Sequence, residues 1–394
     1  MRKILVLNCG SSSIKYRLFD KKLNSLVRGK IERIGEKEPR LIHWKNKSLF
    51  QKVVKNVKDH EAGIKLMLSV LQDAKWGALK SLNEIFVVGH RVVHGGEISK
   101  PTIVTNKTLK HVEKLSILAP LHNPHNVAGI KIMKKILPKV KQVMVFDTAF
   151  HQTIPQKAYM YALPYEFYEK FKIRRYGFHG TSHKYVAIRA SKLLRKAKPN
   201  LITCHLGAGS SITAISNGRS IDTSMGFTPL EGVMMGTRTG DIDAAIVQYL
   251  VDVCKLSFDD VFEIMNKKSG LLGISGISKD VRPILAGAKK GNKRCKLALE
   301  MFCYRVAKYI GAYSVLLDNV DAIVFTAGIG ENAPWIREKI CSYLKILGVK
   351  LDKRKNNNAI AKEALISSKK SCIKVFVIPT DEELMIAKEA VSVI

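Results

Sequence analysis

Apolar, β-branched runs recur along the chain at residues 3–7, 85–88, 142–146, 201–204, 322–326 and 374–378, and each predicts a buried strand. Between them the hydrophobic period lengthens. Residues 62–71 place Ile64, Met67, Leu68 and Leu71 on one helical face. Residues 296–317 predict a long amphipathic helix with Leu297, Met301, Tyr304, Val306 and Ile310 as its core positions. Strands alternating with helices predict an α/β protein, whose ligands collect at strand ends. Two polar, lysine-rich stretches, 30–58 and 353–371, predict irregular surface structure.

Two strands run directly into glycine- and serine-rich turns. The first is Asn8-Cys9-Gly10-Ser11-Ser12-Ser13-Ile14-Lys15, and the second His205-Leu206-Gly207-Ala208-Gly209-Ser210-Ser211-Ile212. Gly10 allows close backbone approach, and successive N–H groups, three hydroxyls and Lys15 suit a polyanion. A plain hairpin turn is the alternative reading. The pattern G-x-x-x-x-G-K-[ST] is absent, so this is not a Walker loop. Taken as a pair, the turns suggest two lobes holding one phosphorylated ligand, and an ancient duplication. No repeat of solenoid period is present.

Other strand ends carry dense chemistry. Gly89-His90-Arg91-Val92-Val93-His94-Gly95-Gly96 follows the run 85–88. Arg91 there is either a forked anion contact or half of a structural ion pair. Asp147 ends the run 142–146, placed for a metal, a proton or a carboxylate substrate, or as a helix cap. His122, in Leu118-Ala119-Pro120-Leu121-His122-Asn123-Pro124, reads as a structural residue rather than a metal ligand. Arg174-Arg175-Tyr176-Gly177-Phe178-His179-Gly180-Thr181-Ser182-His183 is too specific for a simple helix start, and Thr181 or Ser182 is its expected cap. A long glycine-punctuated stretch from Asp222 to Asp241 holds a single arginine, Arg238. Thr326-Ala327-Gly328-Ile329-Gly330-Glu331-Asn332 suits close approach of a nucleotide, without a Rossmann G-x-G-x-x-G.

Length and charge narrow the classes. With 394 residues, two or three domains are expected. The chain carries 66 Lys and Arg against 33 Asp and Glu, a net charge of +33. The basic residues are spread rather than striped, which favours a solvated surface over nucleic-acid binding. Seven scattered cysteines without a C-x-x-C pair exclude a disulfide framework or zinc site and point to a reducing compartment. Met1-Arg2-Lys3 before an apolar run imitates a signal peptide, but Asn8–Ser13 ends it at once. No run reaches membrane-spanning length, and a cytoplasmic location is expected.

Together the runs LVLNCGSSSIKY, GHRVVHGG, RRYGFHGTSH, MGFTPLEG, MGTRTGDID, TAGIGEN and IPTDEEL, in this order across essentially the whole chain, closely resemble the acetate kinase family. That resemblance implies two ribonuclease H-like α/β domains of the sugar kinase, heat-shock chaperone and actin superfamily, with the active site in the cleft. The expected domains are 1–149, completed by 384–394, and 150–383. It implies reversible transfer of the γ-phosphoryl of ATP to acetate, giving acetyl phosphate and ADP, with Mg²⁺ or Mn²⁺, by a homodimer. Arg91, Asp147, His179 and Arg238 match the catalytic positions, and Asn8 and Glu382 the magnesium-associated ones. Lys15 with Ser11 and Ser13, His205-Leu206-Gly207-Ala208-Gly209, Asp280-Val281-Arg282 and Gly328-Ile329-Gly330-Glu331-Asn332 match nucleotide segments. Arg91, Val93, Leu121, Phe178 and Pro229 match the acetate pocket. Ala208 stands where several members carry Asn, and Val281 where some carry an aromatic residue, which lowers the expected nucleotide affinity. A short-chain acyl kinase favouring propionate is the alternative, since a methylene in an apolar pocket is worth only about 1–3 kcal/mol. An ATP-binding protein of the actin or chaperone type would not need Arg91, His179 and Arg238 together.

Overall fold

The computed structural model describes residues 2–394. The chain divides into two compact units, residues 1–149 with 381–394, and residues 150–380. Each is built on one mixed sheet.

The first unit contains β1 (Lys3–Cys9), β2 (Ser13–Phe19), β3 (Ser25–Glu32), β4 (Arg40–Lys45), β5 (Ser48–Val53), β6 (Ile85–Val92), β7 (Thr102–Ile103) and β8 (Lys141–Phe146). Their order is β5-β4-β3-β2-β1-β6-β8-β7. The second unit contains β9 (Leu201–Leu206), β10 (Ser210–Ser216), β11 (Arg219–Thr223), β12 (Ala322–Thr326), β13 (Ala364–Leu365) and β14 (Lys374–Val377), in the order β11-β10-β9-β12-β14-β13.

Five strands of each sheet repeat one plan. A meander of three antiparallel strands (β1-β2-β3, β9-β10-β11) is extended by two strands parallel to the first (β6 and β8, β12 and β14). The parallel strands are almost wholly buried, because helices cover both faces of each sheet. In the first unit, helices His60–Gln72 and Asn123–Ile136 cover one face and helix Glu382–Val391 the other. That last helix lies close because Gly89 has no side chain. A Cβ there would sit 2.9 Å from Ile386 and 3.3 Å from Ala390. In the second unit, helix Lys293–Val315 packs on one face and helix Gly180–Leu194 on the other.

Three expectations need correction. Residues 30–58 are not irregular: they finish β3 and form β4 and β5. In β3 and β4, Val27, Ile31, Leu41 and His43 turn inward while Arg28, Lys30 and Arg40 turn out, and that alternation is the strand signal the composition hid. The stretch 353–371 similarly holds a short helix, Lys353–Asn358, and β13. The long helix buries Val306 and Ile310 as expected, and Met301 in part, but the rest of its stripe differs. Leu297 and Tyr304 are about half exposed, whereas Ala298, Leu299, Phe302, Cys303, Val306 and Ile310 face the core. Small residues and cysteines carry that face, so size misled the choice of phase. No helix among the described residues is long and apolar enough to cross a membrane.

Candidate active site

In the first unit the candidate residues gather at the ends of the three adjacent parallel strands, β1, β6 and β8. Asn8 lies near the end of β1 and Arg91 near the end of β6, and Asp147 follows β8 directly. The turn Gly10–Ser12 closes a hairpin in which Asn8 pairs with Lys15 and Cys9 with Ile14. The Gly10 N–H donates to Ser13 O at 2.8 Å. Ser11 and Lys15 are exposed, and Ser13 is half-buried.

Arg91 grips Asp147 with two prongs. Nε donates to Oδ1 at 3.0 Å and Nη2 to Oδ2 at 2.6 Å. Asp147 is buried, and its backbone N–H donates to Val92 O, so the ion pair is fixed to the sheet. Burial pulls the Arg91 guanidinium down, but Asp147, Glu382 and Glu383 together push it above its usual range. Glu382 opens the return helix, whose cap Asp381 accepts from the Leu384 N–H at 3.0 Å and from Arg17 at 2.7 Å. Burial and the neighbouring Asp147 and Glu383 carboxylates raise Glu382 to about 7, against the pull of Arg91 and Lys15.

Two asparagines that the sequence reading passed over hold this edge together. Asn126 Oδ1 accepts from the Val93 N–H at 3.0 Å while its Nδ2 donates to Cys9 O at 2.7 Å, tying β6 to β1. Asn123 pairs with both backbone groups of His94 at 2.9 Å. Of the acetate-pocket candidates, Val93 is buried and Leu121 exposed in this unit, and Phe178 and Pro229 belong to the second.

In the second unit, His179 precedes helix Gly180–Leu194 in the left-handed conformation, φ 57°, which is uncommon for a non-glycine residue. The helix is capped by neither Thr181 nor Ser182: both lie inside it, and Ser182 Oγ bonds His205 Nδ1 and Thr380 Oγ1, each at 2.8 Å. The His179 ring stacks on His205, centroids 4.1 Å apart. A Cβ on Gly209 would meet His179 Nε2 at 3.3 Å and Arg238 Nη1 at 3.4 Å, so ring, guanidinium and second Gly/Ser turn share one spot. Burial pulls the Arg238 guanidinium down, and its Nη1 donates to Pro229 O at 3.3 Å.

A cavity of about 450 Å³ lies beside that turn. Gly207, Ala208, Asp280, Val281, Arg282, Gly328, Ile329 and Asn332 line it, with Lys279, Leu285 and Ala333, which the sequence reading did not single out. Val281 is also part of the hydrophobic core, so it forms wall rather than a free stacking platform. Ala208 is exposed. His205, Leu206, Gly209, Gly330 and Glu331 do not line the cavity. Glu331 Oε1 instead accepts from the Thr380 N–H at 3.1 Å, and Gly330 O accepts from the buried Arg337 at 2.8 Å. Arg337 also donates to Asn356 Oδ1, Asn356 O and Ala359 O, and so braces the Gly328–Asn332 segment from behind. A second brace is Arg175, whose Nη1 contacts the carbonyls of Thr223, Ser224 and Met225 and whose Nη2 bonds Glu231 at 2.5 Å.

Two similar α/β sheets with glycine turns at strand ends, a forked arginine on one and a donor cluster beside a cavity on the other, suit a phosphotransferase. Comparison with known proteins makes this specific. The sequence model of the acetokinase family matches residues 3–388, and the chain belongs to that family. It is 54% identical over 396 residues to an acetate kinase from Halothermothrix orenii, covering 100% of this chain and 99% of that one. An acetate kinase from Thermotoga maritima is likewise 54% identical, covering 100% and 98%. The fold matches a crystal structure of Porphyromonas gingivalis acetate kinase with a TM-score of 0.92 at 45% identity, and that of a propionate kinase from Francisella tularensis with 0.94 at 44%, each over 100% of both chains.

Proposed function

We propose that this chain is a kinase transferring the γ-phosphoryl group of ATP to acetate, reversibly, giving acetyl phosphate and ADP. The two-pronged Arg91–Asp147 pair at the β6 and β8 ends, in a chain of the acetokinase family, carries this reading. Arg91 meets the acetate carboxylate and the charge that develops on the transferring group, with Asp147 fixing its plane. His179 Nε2 and Arg238 donate to equatorial oxygens of the phosphoryl group, whose negative charge is spread in the transition state. Transfer is direct, from nucleotide oxygen to carboxylate oxygen, without a covalent enzyme intermediate. In the second unit the turn at Gly207 and the cavity beside Gly328 bind the nucleotide, with Phe178 and Pro229 as methyl contacts; in the first the turn at Gly10 binds phosphate, with Val93 and Leu121 as methyl contacts.

The donor chemistry of the first unit fits a magnesium ion. Asn8 and Glu382 offer hard oxygen ligands of the kind magnesium takes. No group of three or more His, Cys, Asp or Glu residues arranged for a metal occurs among the described residues. Mg²⁺ is commonly held by one or two protein oxygens together with substrate phosphates and water. When bound, the ion neutralises phosphate charge, and Asn8 and Glu382 orient it.

A hydroxylamine trap tests the proposal. Mg-ATP with acetate should yield acetohydroxamate, and absence of any acyl hydroxamate from acetate, propionate or butyrate would remove the kinase reading. The propionate kinase likeness makes propionate the second reading, decided by the ratio of kcat/KM for the two acids.

We also propose a homodimer. Helix Ala245–Asp252, sequence AIVQYLVD, has no buried residue, and Tyr249, Val253, Phe258 and Phe262 around it are exposed. A second copy of this chain would cover them. Light scattering should give a dimer mass, and Tyr249→Glu should shift it toward monomer.

A further inference from the structure

The second unit buries a line of hydrogen bonds behind His179. Thr203 Oγ1 lies 2.7 Å from His183 Nδ1, His183 Nε2 is 2.8 Å from Ser211 Oγ, and Ser211 Oγ is 2.8 Å from His179 Nδ1. Thr203, His183 and Ser211 are all fully buried. Three elements supply them: β9, helix Gly180–Leu194 and β10.

A serine hydroxyl has one proton, so Ser211 can donate to only one of the two imidazoles it touches. His183 is kept neutral by burial and by its neighbours His151 and His205, and therefore carries a single ring proton. If Thr203 donates to His183 Nδ1, the proton of His183 is on Nε2. That N–H donates to Ser211 Oγ, and the Ser211 O–H donates to His179 Nδ1. His179 is then protonated at Nε2, the nitrogen beside Gly209 and Arg238. With every bond reversed, Nε2 would carry a lone pair, which repels a phosphoryl oxygen. A neighbouring imidazole shows the same tautomer. His151 Nε2 faces the Phe178 carbonyl at 2.9 Å, which can only accept, so His151 Nδ1 accepts from Ser220.

We propose that Thr203, His183 and Ser211 are positioning residues that hold His179 in its neutral Nε2–H tautomer, with the proton aimed at the transferring phosphoryl group. The proposal rests on the donor role of His179 given above. The chain works through hydrogen-bond direction alone, and no proton leaves its nitrogen or oxygen.

Thr203→Val removes the outermost hydroxyl, three hydrogen bonds from His179, at nearly constant shape. Thr203→Ser keeps it. With the donor misdirected, Ser211→Ala should lower kcat about 10- to 100-fold, and Thr203→Val by a smaller factor of about 5 or more. KM for acetate and ATP should stay within about twofold, because the loss is confined to the transition state. Thr203→Ser should restore kcat. Histidine ¹⁵N shifts in the full-length protein should show His179 as Nε2–H, and as a mixture in Ser211→Ala and Thr203→Val. Unchanged His179 shifts in both variants would overturn the chain, whatever the activity. Normal kcat in both variants, with His179→Ala inactive, would overturn it while leaving the His179 role intact. An active His179→Ala enzyme would instead remove the donor role, and the ¹⁵N shifts would still decide the chain.

Discussion

At Arg91 the shape of the cation matters as much as its charge. A lysine has one point of contact and cannot hold both oxygens of Asp147 in one plane, as Nε and Nη2 do. Arg91→Lys should therefore lower kcat/KM for acetate by about 100-fold, or ~3 kcal/mol, with an unchanged circular dichroism spectrum. Activity within about threefold of the parent would show that charge alone suffices. Arg91 and Asp147 were legible in the sequence because each is a charged residue at the end of an apolar run. Asn123 and Asn126 were not. Their task is to satisfy backbone groups of a distant strand end, and no local pattern announces a long-range side chain to main chain bond. The contact between Ser211 and His183 stayed hidden for the same reason, since only the fold brings β10 beside helix Gly180–Leu194.

Among the elements, the segment Gly328–Asn332 depends on what stands behind it. The buried Arg337 spends its donors on Gly330, Asn356 and Ala359, and burial draws its guanidinium down to about 10. Arg337→Met would strand these acceptors, at a cost of about 1–3 kcal/mol for each left dry. Thermal unfolding should then come about 6–12 °C lower for a loss near 3 kcal/mol. KM for ATP should rise more than KM for acetate, and an equal rise in both would separate Arg337 from the nucleotide segment. The strand-helix alternation was readable from hydrophobic period, as was the existence of both glycine turns. The core face of helix Lys293–Val315 was readable only at Val306, Ile310 and in part Met301, because the face is built of Ala and Cys as much as of large side chains. Nor were β4 and β5, whose short runs are interrupted by basic and polar residues that made the stretch look unstructured.

Across the whole molecule, buried neutral histidines link stability to pH. Burial holds His90, His94 and His151 down to about 4 in the fold, against about 6.5 in an unfolded chain. Between those values the unfolded chain takes up protons that the folded chain refuses. Stability is therefore full above about pH 6.5 and falls as pH drops toward 4, by about 1.4 kcal/mol per unit for each histidine. Melting temperature should decline from pH 7 to pH 5, and a flat profile would show that these rings protonate without unfolding. The net charge of +33 adds self-repulsion in the same direction.

Connectivity adds a consequence of a different kind. The second unit, Phe150–Thr380, is a continuous insertion within the first, which resumes at Asp381. During synthesis the ribosome delivers every residue of the second unit before helix Glu382–Val391 emerges. Until then one face of the first sheet, with Ile4, Val6, Val87 and Val145, has no cover. The unit begun first is thus the last to be finished, and its final helix brings Glu382 to Arg91 and Asp147 in the same event. A nascent chain halted before Asp381 would lack both the lid of its first core and one carboxylate of its proposed metal site.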